Sequence, residues 1–268
     1  HCEYVLTLQI REILEFLRFL ALLVFCSSSY LGRYFCVFVT LICIGKALCL
    51  KLADNGATVI ALSRTQNHLD ELVHENCNIL PVQVDLSNWQ ETKQALTCIN
   101  NIDGLVNNAG IALNAPLLQI TEEQIDRSFS INVKAVINVT QTVVPKMIEK
   151  KQGSIVNVSS QASLAGLAEH TVYCGTKAAV DGLTRAMALE LGEHNIRVNT
   201  VNPTVVMTAM GKQVWSNPAK GNPLKEKIPL HRFAEVDDVV DAIIFLLSDG
   251  SKMITGTNLP IDGGYTAV

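Results

Sequence analysis

Tyr173 and Lys177 stand four residues apart in the stretch YCGTK, within a segment of helical spacing. That interval puts both side chains on one helix face, a turn apart. A free tyrosine hydroxyl, with a pKa of about 10, exchanges protons poorly at neutral pH. A neighbouring ammonium stabilises the phenolate and lowers that value. Taken alone, a Tyr–Lys pair is also what an ordinary solvated helix face presents. Ser160 lies thirteen residues upstream of Tyr173, at the end of the strand-like run GSIVNVSS. A hydroxyl there can hydrogen-bond a substrate carbonyl oxygen and polarise it. Together the three residues suggest acid–base chemistry at a carbonyl.

Such residues need a scaffold, and the chain alternates strand-like and helix-like runs from Ile44 onward. The strands read as ATVIAL, ILPVQVDL, DGLVNNAG, GSIVNVSS, IRVNTVNP and TNLPIDGG. Between them lie QNHLDELVHE, NWQETKQALTCI, a long segment near 121–149 and another near 170–193. The strands are apolar on both faces, as a parallel sheet covered by helices on each side requires. The reading is α/β, a doubly wound parallel sheet of Rossmann type in a single domain over 44–268, with ligands beyond the carboxyl ends of its strands.

Residues 1–43 differ in character. FLALLVFC and YFCVFVTLICI are hydrophobic runs, each shorter than the ~20 apolar residues of a spanning helix. Arg11 and Arg18 before the first run weakly resemble a secretory signal. A buried helix followed by a strand is favoured over a membrane anchor, and a cytoplasmic location over a membrane-associated one. The sequence begins with His1, which reads as a fragment or a processed or conceptual product. Among 268 residues, 49% are apolar and the net charge is −4, enough for a sizeable core and without the basic footprint of a nucleic-acid binder. The eight cysteines form no CxxC pair and no metal-ligand spacing, so buried thiols in a reducing compartment are expected and no metal is.

NNAG at 107–110, Asn132 in FSINVKAV, the set Ser160, Tyr173 and Lys177, and VNPT at 201–204 resemble the short-chain dehydrogenase/reductase family in order and spacing. HTVYCGTK, VNPTVVMTAMG and VWSNP resemble a branch that reduces sugars and small dicarbonyls. The resemblance implies that Tyr173 donates a proton to the substrate oxygen. Lys177 would lower the tyrosine pKa and hold the nicotinamide ribose, Ser160 would orient the carbonyl, and Asn132 would hold a relay water. Hydride would come from the cofactor.

The cofactor is expected to be NADP(H). Members of this fold that use NAD usually carry an acid after the second strand. Here Ser63, Arg64 and Thr65 stand there, and an arginine fork suits a 2′-phosphate, although a strand-end arginine is also a common surface residue. By the same resemblance Asp85 and Leu86 would meet the adenine; Asp85 also reads as a turn or helix-cap aspartate. Gly45, Asn107, Asn108, Ala109, Asn202, Thr204, Val206 and Thr208 complete the implied cofactor contacts. Gln161, Leu167, His170 and Trp215, with Ser160, are the implied substrate contacts. His170 also reads as a helix-start histidine and Trp215 as a buried tryptophan. The substrate would be a small carbonyl or sugar compound, under a mobile loop at 204–232. A homotetramer is implied, with VVDAIIFLLSD and LPIDGGYTAV as candidate interface segments.

One part departs from the family pattern. Its first strand runs into a turn of the form T-G-x-x-x-G-x-G, whose glycines let the backbone approach a pyrophosphate. In FVTLICIGKALCLKLADNG only Gly45 remains, with the two earlier glycine positions falling on Val39 and Cys43, or the turn two residues short if Thr40 is matched. A misjoined exon or unspliced intron accounts for so abrupt a change; a divergent paralogue is the alternative. The chain as written is expected to bind NADPH poorly, and an inactive or misfolded relative is the competing reading.

Overall fold

The computed structural model describes residues 30–38 and 44–267. Seven strands form one sheet: β1 (Tyr34–Phe38), β2 (Thr58–Ser63), β3 (Ile79–Gln83), β4 (Gly104–Asn107), β5 (Gly153–Val158), β6 (Ile196–Pro203) and β7 (Asn258–Ile261). The order is β3-β2-β1-β4-β5-β6-β7 and every neighbouring pair is parallel. The chain winds outward from β1 to β3, then returns to β4 on the other side. The crevice where such a fold binds ligands therefore opens at the carboxyl ends of β1 and β4. This is the doubly wound α/β fold expected from the sequence. Its central strand β1 comes from YFCVFVT, before the expected domain boundary at residue 44.

The helices are α1 (Ile44–Asp54), α2 (Gln66–Glu75), α3 (Trp89–Thr97), α4 (Glu122–Phe129), α5 (Ala135–Lys150), α6 (Thr171–Leu191), α7 (Ala209–Trp215), α8 (Pro218–Lys225) and α9 (Val236–Leu247). They cover both faces because the strands are apolar on both. In β2, Val59 and Ala61 join one core with Leu48 and Leu52 of α1, Leu72 of α2, and Val240 and Ile243 of α9. Ile60 and Leu62 join the other, with Leu96 of α3, Val143 and Met147 of α5, and Ala188 of α6. Each fully buried Leu or Ile stabilises the fold by about 1.5–3 kcal/mol. The close approach of β4 to β1 requires Gly104, where a Cβ would lie 2.4 Å from Phe35 Cδ1.

The approach to β1 is tied in by polar contacts as well. Tyr30 packs edge-on against Phe35, with ring centroids 5.3 Å apart, and its hydroxyl donates to the Ile244 carbonyl at 2.9 Å. Arg33 pairs with Asp249 at 2.7 Å, and the Tyr34 N–H donates to Asp103 at 2.7 Å.

The long segment near 121–149 is divided by a π-helical turn over Ser130–Lys134, which separates α4 from α5. The region 204–232, where a mobile substrate loop is expected, holds α7 and α8. In VVDAIIFLLSD one face, Val239, Val240, Ile243, Leu246 and Leu247, is buried within the chain, while Phe245 is exposed. The expected helix within residues 12–26 and the glycine-poor turn at 39–43 lie outside the described residues. Among the described residues no helix is long and apolar enough to cross a membrane.

Candidate active site

The site is built from the carboxyl ends of β4, β5 and β6 and one face of α6. β5 ends at Val158, so Ser160 sits two residues beyond the strand and caps a short 3-10 turn, accepting from the Ala162 N–H at 3.1 Å. Its hydroxyl also hydrogen-bonds the Tyr173 phenol. Tyr173 reaches the cleft while its surroundings are largely protein. Burial pushes its pKa up, opposed by the Ser160 hydrogen bond. Lys177 Nζ lies 5.7 Å from the tyrosine ring centroid and donates to the Val158 carbonyl at 2.8 Å. Lys177 is 4% exposed, and burial pulls its pKa down to about 8 against the opposing pull of Asp181, one turn further along α6.

Asparagines hold this face in place. Asn132, in the π-helical turn, accepts from the Ile111 N–H at 2.8 Å and donates to the Ile111 carbonyl at 2.8 Å and to Thr176 Oγ1 at 3.0 Å. Both its amide hydrogens are therefore engaged, and its side chain clamps the loop after β4. The extra residue of a π turn re-aims a helix locally, which places Asn132 under that loop. Asn107 donates to Asn157 Oδ1 at 2.7 Å, and Asn157 donates to Thr184 Oγ1 at 2.8 Å, joining β4, β5 and α6. The Asn202 side chain donates to Ser163 Oγ at 2.8 Å and to the Asp181 carboxylate at 3.1 and 3.2 Å. The side chains of Asn107 and Asn202, implied cofactor contacts, are thus engaged inside the protein, and both residues lie in paired strands.

A cavity of about 450 Å³ opens over Tyr173. It is lined by Ser160, Gln161, Leu167, His170 and Trp215, the whole substrate set implied by the sequence, together with Ala112, Thr204, Val205, Lys220 and Lys227. The histidine ring is fixed from both sides: Nδ1 donates to the Ala168 carbonyl at 2.6 Å, and Nε2 lies 2.8 Å from Asn114 Nδ2. Trp215 meets Phe233 edge-on at 5.9 Å. Among the described residues, Gln161 Oε1 and Thr204 Oγ1 are the buried side-chain atoms without a hydrogen-bond partner, and both residues line this cavity. Unpaired buried polar atoms cost about 1–3 kcal/mol each, which a polar ligand would relieve. A second cavity of about 470 Å³ shares Thr204 but reaches neither Ser160 nor Tyr173. The first carries the chemistry.

At the other end of the crevice, Arg64 is exposed just past β2, and among the described residues its guanidinium forms no salt bridge. Ser63 Oγ accepts from the Thr65 N–H at 3.1 Å, fixing this turn. Asp85 accepts from the Ser87 N–H at 2.9 Å and hydroxyl at 2.7 Å, a turn role; the α3 cap is Asn88. Burial would raise the Asp85 pKa, but the Ser87 bonds and the charges of Arg64 and Arg127 hold it below the usual range. Leu86 and Ala109 pack on the core, and Asn108 is half-buried. Gly45 is buried in the first turn of α1, Val206 bridges to Ala234, and Thr208 caps α7 through its hydroxyl.

The family model described as enoyl-(acyl carrier protein) reductase matches residues 42–266. L-xylulose reductase of Mus musculus is 54% identical over 225 residues, 84% of this chain and 92% of that protein. The chain belongs to the short-chain dehydrogenase/reductase family. D-erythrulose reductase of Gallus gallus is 52% identical over 223 residues, covering 83% of this chain and 91% of its own length. Among solved structures, a short-chain dehydrogenase/reductase from Mycobacterium ulcerans superimposes with a TM-score of 0.86 at 28% identity, over 90% of this chain and 92% of that one. ElxO with bound NADP gives 0.82 at 26% identity, over 88% and 99%.

Gly110 is where a Cβ would sit 3.3 Å from Lys177 Nζ and 3.5 Å from Asn132 Oδ1, so its bareness keeps the space above Lys177 open. Lys177 spends one N–H on Val158, with two more to offer. The sequence reading missed Gly110, Val205, Lys220 and Lys227. Lys220 lies in α8 and Lys227 in the turn beyond it, so no single periodicity links them.

Proposed function

We propose that this chain is an NADPH-dependent carbonyl reductase acting on L-xylulose or a small dicarbonyl compound. The observation that carries the reading is Tyr173, hydrogen-bonded to Ser160 and one turn from buried Lys177, beneath a cavity with two unsatisfied polar atoms. When bound, the nicotinamide supplies the hydride. Ser160 donates to the substrate oxygen and draws electron density from the carbonyl carbon. Tyr173 then releases its phenolic proton to that oxygen, so the alcohol O–H forms as the tyrosine O–H breaks. Its raised pKa keeps that proton in place at neutral pH, as a reducing direction needs. Lys177 would hold the ribose hydroxyls with its remaining N–H groups, and its charge would offset the developing tyrosinate.

Arg64 would take a 2′-phosphate, with Ser63 and Thr65 shaping the turn and Asp85 and Leu86 beside the adenine. Asn108, Ala109 and Gly110 would floor the crevice, and Thr204, Val206 and Thr208 would close it. Gln161, Leu167, His170 and Trp215 would hold the substrate. NADPH rather than NADH is further supported by a 48% identical relative, carbonyl reductase [NADPH] 2 of Sus scrofa. A homotetramer rests on family likeness, and exposed Leu118 and Leu189 give it apolar surface to bury. A cytoplasmic location goes with the free thiols Cys49, Cys77, Cys98 and Cys174. The test is incubation with NADPH and a 2-pentulose. With the glycine turn restored before α1, the pentitol and oxidised cofactor should appear together; no product while NADPH stays bound would overturn the reading.

A further inference from the structure

Part of the wall of the cavity over Tyr173 comes from two segments that meet. Ala112 belongs to the loop after β4, and Leu167, Ala168 and His170 to the segment before α6. The backbone joins them where the Ala115 N–H donates to the Glu169 carbonyl at 3.0 Å. Glu169 has a φ of +64°, a left-handed conformation uncommon for a residue with a side chain. The loop after β4 is also anchored at its start, by the two Asn132 bonds to Ile111. A side chain completes the join: Asn114 Nδ2 lies 2.8 Å from His170 Nε2. His170 stands at the N-cap of α6, yet its ring makes no cap bond. Its Nδ1 donates to the Ala168 carbonyl at 2.6 Å, since a carbonyl only accepts, and Asn114 takes Nε2. The bonds made by the two nitrogens set how an imidazole is held. With both engaged, the ring has only carbon left to turn to the cavity. It meets the Tyr173 ring edge-on, with centroids 6.3 Å apart. Asparagine carries both a donor and an acceptor, so it can answer Nε2 with or without a proton, which leucine or alanine could not. Asn114 belongs to none of the motifs that mark the family in this sequence.

We propose that Asn114 is a positioning residue for the substrate, acting through His170: it holds the imidazole as a fixed wall beside Tyr173 and keeps both ring nitrogens from the substrate, whose oxygens are left to Ser160, Tyr173 and Gln161. The inference rests on the reductase reading and adds to it how a neutral ketose is seated. A ring fixed before the substrate arrives does not have to be ordered by it, so less of the binding free energy is lost. Without Asn114 the substrate would have to settle the ring itself. That cost falls equally on the bound substrate and on its transition state, so it weakens binding and leaves the chemical step alone.

The experiment has two arms. NMR of isotope-labelled histidine in the full chain reads the bond itself, with His170→Gln identifying the His170 signals among the six histidines. In Asn114→Ala the His170 Nε2 resonance should move to that of an unbonded nitrogen. Kinetics with NADPH and a 2-pentulose, in the chain with the glycine turn restored before α1, read the consequence. Asn114→Ala should raise KM for the pentulose about three- to tenfold, the worth of one side-chain hydrogen bond, with kcat within about twofold of the parent. Asn114→Ala added to His170→Ala should raise KM no further, because Asn114 acts only through that ring. A melting curve for each variant shows that the fold is kept; a merely structural role would lower the melting temperature and add to the His170 effect. An unmoved Nε2 resonance, an unmoved KM in folded Asn114→Ala, or additive effects in the double variant would overturn the inference while leaving carbonyl reduction standing. No turnover by the folded parent would overturn the reductase reading, and the substrate role of Asn114 with it.

Discussion

Replacing Asp181 with Asn should lower the pKa of Lys177 by more than one unit. Lys177 is 4% and Asp181 3% exposed, and they are one helical turn apart on α6. Side chains so spaced have Cβ atoms about 5–6 Å apart. With the charges taken as about 6 Å apart at an effective dielectric of about 20, they attract by about 3 kcal/mol, or roughly two pKa units. Burial sets the ammonium near 8, below the ordinary 10.5, and Asp181 is what keeps it from falling further. Asn preserves the shape and can still accept from Asn202, so the change is mainly one of charge. NMR of isotope-labelled lysine, titrated without cofactor, would follow Lys177 directly. The parent midpoint near 8 should move below about 7 in the variant. Stability follows with a defined sign. Between about 8 and 10.5 the folded chain binds fewer protons than the unfolded one, so stability rises with pH across that window and is lost as pH falls through about 8. The variant should widen the window at its lower end. A midpoint unmoved by the substitution would refute the electrostatic account of this helix face.

Other outcomes can be measured separately. Arg64→Asp should cost NADPH about ten- to a hundredfold in affinity and narrow or reverse its preference over NADH, since charge-assisted bonds to the 2′-phosphate are worth about 1.5–3 kcal/mol; cofactor titrations check it. Asn132→Ala removes three hydrogen bonds to Ile111 and Thr176 and should destabilise the chain by about 2–3 kcal/mol in denaturant melts. Putting a T-G-x-x-x-G-x-G turn in place of the residues before α1 should strengthen NADPH binding by orders of magnitude, read by cofactor fluorescence, because the backbone could then approach the pyrophosphate.

Much of the scaffold was legible because its patterns are local. The run QNHLDELVHE is α2 and IRVNTVNP is β6, residue for residue. Apolar strands with helical spacers dictated a sheet covered on both faces, and both faces are covered. What escaped depends on partners distant in sequence. The π turn at Ser130–Lys134 is tied to Ile111 and Thr176, contacts that no periodicity announces. Asn107 and Asn202 sit in motifs that suggest ligand contact, yet their side chains join buried networks whose other members come from β5 and α6. Burial, invisible in the sequence, raises the Tyr173 pKa, opposed by Ser160. Lys220, in α8, and Lys227, in the turn after it, line the cavity over Tyr173, which no local pattern announces.

The central claim is that Tyr173 delivers the proton in carbonyl reduction, and the Tyr173→Phe variant tests it most directly. NADPH affinity and turnover of a 2-pentulose should be measured side by side on parent and variant, in the chain as written and with the glycine turn restored. Turnover should fall by about 10²–10⁴-fold with NADPH affinity nearly unchanged, because only the hydroxyl is removed. Turnover within a few-fold of the parent would contradict the account, since the proton would then come from another group.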